Sequence, residues 1–137
     1  MCAQTQKPTN LGYGELGRFV AGEAATCVKS IVGLTGACTA AEASTFANPG
    51  GATKLAANGF VLVNADTVAS EQTTVADDTV QVDHVFTASG TQSVSGFAIE
   101  NDDDDVVYME CCFATALAME NGDTLTIEAK MQFKLGS

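Results

Sequence analysis

The sequence predicts an all-β protein: an antiparallel β-sandwich of jelly-roll-like character, with an N-terminal arm and at most one short helix. Three observations carry that expectation. Residues 124–133 alternate strictly, with Leu125, Ile127, Ala129, Met131 and Phe133 set against Thr124, Thr126, Glu128, Lys130 and Gln132. That period belongs to a strand with one dry and one wet face. Further strand-like segments follow one another at intervals of roughly 8–15 residues, separated by Gly-, Asn- and Asp-bearing turns. Gly occurs 13 times and Pro only twice, a composition suited to short strands and tight turns.

Taken in order, residues 1–20 carry Gly12, Gly14 and Gly17 among polar residues and read as an arm or loop, with Leu11, Tyr13, Leu16 and Phe19 as candidate interaction anchors. Thr26–Leu34 reads as a strand ending at the turn Thr35-Gly36. Ala37–Asn48 is rich in Ala and Glu and is the place for the one short helix, stopped by Asn48-Pro49-Gly50-Gly51. Phe60–Val63 opens a strand expected to run on through Val68. Thr79–Thr87 alternates, with Val80, Val82, His84 and Phe86 on one side. Val94–Ile99 follows the turn Ser89-Gly90. In the mostly apolar strand Val106–Phe113, the expected core face is Val107, Met109, Cys111 and Phe113. The 137 residues fit one domain. Residues 1–20 form its arm, and 21–137 a single β-sandwich domain.

Seventeen acidic residues against six basic ones give a formal charge of -11. A surface this negative repels phosphate backbones and anionic lipid, so neither nucleic acid nor a membrane is an expected partner. No stretch reaches the length of a membrane span, and the N-terminal residues lack the apolar core of a signal peptide. Synthesis and folding in a cytoplasm are therefore expected, with the five cysteines as reduced, partly buried thiols. A Cys27–Cys38 disulfide flanking a hairpin is the sharper alternative.

Catalytic chemistry finds little support. The lone histidine, His84, has no nucleophile beside it in sequence and reads as a core or half-buried residue. Gly12-x-Gly14-x-x-Gly17 has the spacing of a dinucleotide fingerprint but neither the preceding strand nor the βαβ unit that gives it meaning. The run Asp102-Asp103-Asp104-Asp105 reads as an exposed loop, because four adjacent carboxylates repel one another. These four are the candidate metal ligands, for Ca²⁺, although they lack the alternating spacing that aims side chains at one ion. The expectation is thus a non-enzyme without a cofactor, Ca²⁺ being the one metal kept open. With no Trp and two Tyr, aromatic platforms for carbohydrate are scarce.

The run Thr74–Ala88, with His84-Val85-Phe86-Thr87-Ala88, resembles a stretch of the small β-sandwich structural proteins of tailed bacteriophages. Ser95-Gly96-Phe97-Ala98-Ile99-Glu100-Asn101, the aromatic-bearing strand Tyr108–Phe113 and the closing hairpin Leu117–Ile127 with Gly122-Asp123-Thr124-Leu125-Thr126-Ile127 extend the likeness over residues 55–135. Upstream, Val32-Gly33-Leu34-Thr35-Gly36 sits where such proteins often have a Gly-rich strand end. Ser95 stands where they often have an acidic residue, and the four-Asp loop replaces small residues and Gly. The resemblance implies a virion structural protein made in the host cytoplasm, most simply a capsid decoration or head-surface protein binding the shell in many copies. Its partners would be the major capsid or other virion proteins and further copies of itself, as a trimer or higher oligomer. A tail or fibre module that recognises a host surface, or a cellular binding or filament subunit, is the alternative.

Overall fold

The computed structural model describes residues 4–133, and these form two antiparallel sheets packed face to face with one helix alongside. In chain order the elements are β1 (Gln4–Pro8), α1 (Asn10–Val20), β2 (Val28–Thr35), a 3-10 turn (Pro49–Gly51), β3 (Thr53–Lys54), β4 (Val63–Asn64), β5 (Thr67–Glu71), β6 (Thr79–Thr87), β7 (Gln92–Asn101), β8 (Val107–Met119) and β9 (Thr124–Gln132). The larger sheet has the order β1-β8-β7-β2-β3, with β4 also paired to β2; the smaller is β5-β6-β9. The all-β sandwich expected from the sequence is the fold observed.

Alternation explains the core between the sheets. Val82 and Phe86 of β6 and Ile127 and Ala129 of β9 face Ile31 of β2, Phe97 and Ile99 of β7, and Met109 and Cys111 of β8. Each is removed from water, and burial of such side chains supplies the dominant favourable term of folding. Phe60 packs its ring 5.3 Å from that of Phe86. His84 is half-buried on the same side of β6, edge-on to Phe86.

The larger sheet buries its outer face as well. Residues 36–52 cross it as a strap with little regular structure, and a second cluster forms beneath: Val32, Leu34, Ala52, Ala98 and Val107, with Cys38, Phe46 and Leu62 against it. Val107 belongs here, not with Met109 and Cys111. The register slips between Ile99↔Met109 and Glu100↔Val107, so one extra residue on β8, a bulge, turns Val107 to the opposite face.

Four further expectations are corrected. Residues 4–20 form a strand and a helix in place of an arm or loop; Met1–Ala3, with Cys2, lie outside the described residues. Residues 37–48 are not helical, because the Ala41 N–H and the Ser44 hydroxyl are taken by Glu110 and Cys38 is bonded to β8. The 60–68 segment does not run as one strand: Val63-Asn64 pairs with β2, whereas Thr67–Glu71 pairs with β6 in the other sheet. Finally, the disulfide joins Cys38 to Cys112, 74 residues apart, with Cα atoms 5.5 Å from each other. Cys27 is exposed and free, and Cys111 is buried and free. Burial pushes the Cys111 thiol up to about 11, away from the reactive thiolate.

Candidate binding groove

Helix α1 is built inside out. Thr9 caps it, its Oγ1 accepting from Gly12 N at 3.0 Å while donating to the Val107 carbonyl. The Thr9 N–H donates to Tyr108 O at 3.1 Å, so cap and strand β8 are fixed together. The positions turned inward are Gly12 and Glu15. Gly12 lies so close to β8 that a Cβ there would stand 2.7 Å from Tyr108 Cα. Glu15 accepts from Thr26 N at 2.6 Å and from Arg18 at 3.4 Å, tying down the return loop.

The apolar residues of the helix therefore stay outside. Tyr13 is 57% and Phe19 60% exposed, and Leu16 is half-buried. Spaced three apart, they form one stripe along the helix. An amphipathic helix normally turns such a stripe to the core; here it lines a groove of about 550 Å³.

The groove opens where the two sheets part at one end of the sandwich. Val28 and Met109 belong to its larger-sheet wall, and Val80, Met131 and Phe133 to the wall from the smaller sheet. Phe133 is 46% exposed. Two edge strands frame it: β1, all five residues exposed, and β9, which ends the smaller sheet. Edge strands carry unpaired backbone N–H and C=O groups that can pair with another chain. Lys7 and Lys130 lie at the groove, paired with Glu42 at 3.6 Å and Glu128 at 3.2 Å. Tyr108, also in the lining, donates its hydroxyl to Thr26 O at 2.7 Å. Its phenol is pushed up to about 12, chiefly by burial and then by the Glu15 and Cys27 charges.

Of the four anchors read from the sequence, Tyr13, Leu16 and Phe19 are brought together in the groove. Leu11 points elsewhere, beside Phe46 and Ala43. The groove's other half, Met131 and Phe133, was legible only as strand alternation, since nothing in a sequence says that β9 ends opposite α1.

The acidic loop is exposed, as four adjacent carboxylates require. Asp102 pairs with Lys29, and Asp105 accepts from Asn101 Nδ2 at 2.6 Å. Among the described residues, no group of three or more His, Cys, Asp or Glu side chains is placed to hold a metal. His84 Nδ1 lies 3.2 Å from Asp66 Oδ1, with no nucleophile in that pairing. Among the described residues, no helix is long and apolar enough to cross a membrane. Comparison with protein-family models, curated proteins and solved structures finds no match to this chain.

Proposed function

We propose that this chain is a non-catalytic structural subunit of a virus particle, a head-surface or decoration protein that binds the shell in many copies and docks through the groove beside α1. The observation that carries this reading is the outward apolar stripe of α1. Tyr13 and Phe19 remain more than half exposed in a chain that otherwise buries its aromatic residues well, and Phe133 faces the same groove. Contiguous exposed apolar surface rimmed by polar groups is characteristic of a protein contact, and aromatic anchors dominate such contacts. Edge strands on both sides add main-chain pairing. The likeness of residues 55–135 to phage structural proteins supplies the identity of the partner, and the charge of -11 agrees with a soluble exterior that avoids the packaged nucleic acid. Self-association as a trimer or larger ring is part of this proposal.

The test is mass spectrometry and electron imaging of particles from the native source. The protein is expected in the particle at a fixed, high stoichiometry. The double variant Tyr13→Ser/Phe19→Ser should fail to incorporate while keeping its unfolding midpoint. Presence in only a few copies at one vertex would favour the tail or fibre reading, and absence from particles would refute both.

A further inference from the structure

Strand β9 is the longest strand left at a sheet edge. Native proteins blunt such edges with short strands, Pro or bulges, and the other edges here follow that rule. β1 and β5 have five residues each and β3 has two, and β1 ends at Pro8. β9 has nine residues without a Pro. It pairs with β6 in one unbroken register from Thr79↔Gln132 to Thr87↔Thr124, with no bulge.

Both ends of β9 fix which way its backbone groups point. The Phe133 N–H donates to Asp78 O at 2.7 Å, and Asp123 O accepts from Ala88 N at 2.8 Å. In an antiparallel ladder, residues that turn N–H and C=O to one neighbour alternate with residues that turn them away. The odd-numbered residues of β9 therefore serve β6, while Thr124, Thr126, Glu128, Lys130 and Gln132 aim theirs outward. Among the described residues, no strand pairs with that side. The same residues carry the wet face of the strand, where Glu128 and Lys130 are 61% and 50% exposed.

We propose that β9 pairs antiparallel with β9 of a second copy about a two-fold axis at Ala129. Outward groups can meet only outward groups, which restricts the register. An axis at Ala129 sets Glu128 opposite Lys130 of the second copy and Lys130 opposite its Glu128. An axis one residue earlier sets Glu128 against Glu128, and one residue later Lys130 against Lys130. Opposite charges directly across two strands stabilise the pairing and like charges oppose it. On the other face Ala129 meets its own copy, where a close pair brings Cα atoms within about 4.5 Å and suits a small side chain. Leu125 comes opposite Phe133, which is 46% exposed. The contact is self-complementary and joins two three-stranded sheets into one. The formal charge of -11 opposes association. Salt at about 0.15 M screens that repulsion beyond about 8 Å and leaves the touching pairs in force. The pairing belongs to the free chain and does not depend on the particle reading.

Sedimentation of the full chain in about 0.15 M salt, from the micromolar to the millimolar range, tests this. The mass is expected to double reversibly with concentration. Lys130→Glu should weaken pairing roughly tenfold or more, because the symmetric contact loses two favourable pairs and gains two repulsive ones. The double variant Glu128→Lys/Lys130→Glu keeps the wild-type net charge and should restore pairing. Amide exchange at Thr126, Glu128, Lys130 and Gln132 should slow as wild-type concentration rises, while Ile127, Ala129 and Met131 are protected throughout. A single-chain mass across the whole range overturns the proposal. So does a Lys130→Glu dimer as strong as wild type, or a double variant as weak as the single one. The wild-type exchange pattern decides on its own: outward amides that exchange alike at every concentration overturn the proposal, whatever the variants do.

Discussion

Replacing Glu110 by Ala removes the side chain that holds the strap over the larger sheet, and the structure sets the size of the effect. Three donors lose an ionised acceptor: the N–H of Ala41, the hydroxyl of Ser44 and the N–H of Gly50. Bonds to a charged group contribute roughly 1.5–3 kcal/mol each, but the three sites are not equivalent. Ala41 is exposed and Ser44 half-buried, so water can replace the carboxylate at about 1 kcal/mol apiece. Gly50 is buried, and its N–H falls back on the weaker contact to Ser44 Oγ at 3.2 Å, a further loss of about 1–2 kcal/mol. Removing the charge also relieves the desolvation of a fully buried carboxylate. The balance is a destabilisation of about 2–4 kcal/mol, read as a lower denaturant midpoint in urea unfolding at neutral pH. The strap should become the first site of limited proteolysis, with cleavage inside residues 39–48. A loss below about 0.5 kcal/mol with an unchanged cleavage pattern would refute the assignment of Glu110 as the strap's anchor. Because Cys38–Cys112 holds the same segment, the double variant with Cys38→Ser should be non-additive.

Cys38→Ser alone should cost about 4 kcal/mol, since the bridge spans 74 residues and its loss frees that loop in the unfolded chain; denaturant midpoints of wild type and variant, both without added thiol, measure it. Ile127→Ala should cost about 2–5 kcal/mol as a truncation between the two sheets, and a value below about 0.5 kcal/mol would mean that β9 presents its other face to the core. Gly12→Ala should cost about 1–3 kcal/mol, because its methyl group meets the Tyr108 backbone; an unchanged melting temperature would mean that α1 does not rest on β8. The Asp78 carboxyl is held well below the usual range, first by Gln132 Nε2 and then by the backbone N–H groups of Thr73, Thr74 and Val75. The unfolded chain therefore binds this proton more readily, so the stabilisation is complete above the ordinary carboxylate pKa of about 4 and is lost as pH falls below it. Asp78→Asn should flatten that part of the acid-unfolding profile, and an identical slope in the variant would refute the role.

The sandwich was legible wherever a strand has one dry and one wet face. β6 and β9 alternate because the smaller sheet covers only one side, and their paired residues Val82↔Ala129 and Phe86↔Leu125 face the same core. Legibility failed where tertiary contacts overrule local preference. Ala37–Asn48 has helix-forming composition, but its start is fastened at Cys38 and the Ala41 N–H and Ser44 hydroxyl are drawn to Glu110, so propensity loses. α1 hid behind three glycines and an outward apolar stripe; its one local signal was Thr9, whose side chain caps Gly12 N. Glu100 and Glu110 had a signal that alternation misassigns. A charged residue in an apolar run reads as a wet face, yet β7 and β8 are covered on both sides. Of the groove, the sequence exposed Tyr13, Leu16 and Phe19 as anchors but not the wall that β9 provides.

The same asymmetry accounts for where binding surface remains. The smaller sheet closes one face of the larger, and the strap closes the other with two buried carboxylates, a disulfide and Lys54 holding a segment that has almost no ladder hydrogen bonds of its own. Such a segment would fray if it depended on backbone pairing alone. The chain thus concentrates its specific side-chain chemistry on keeping the strap in place, while α1, whose inward positions are Gly12 and Glu15, rests on β8 through its cap and one close backbone approach. A helix seated that way leaves Tyr13, Leu16 and Phe19 outside, with the edges of β1 and β9 beside them. Fold stability and partner recognition accordingly fall on different elements. The exposed side chains at the groove, Tyr13, Phe19 and Phe133, can change to suit a partner without loosening the sandwich, whereas changes beneath the strap act on the fold itself.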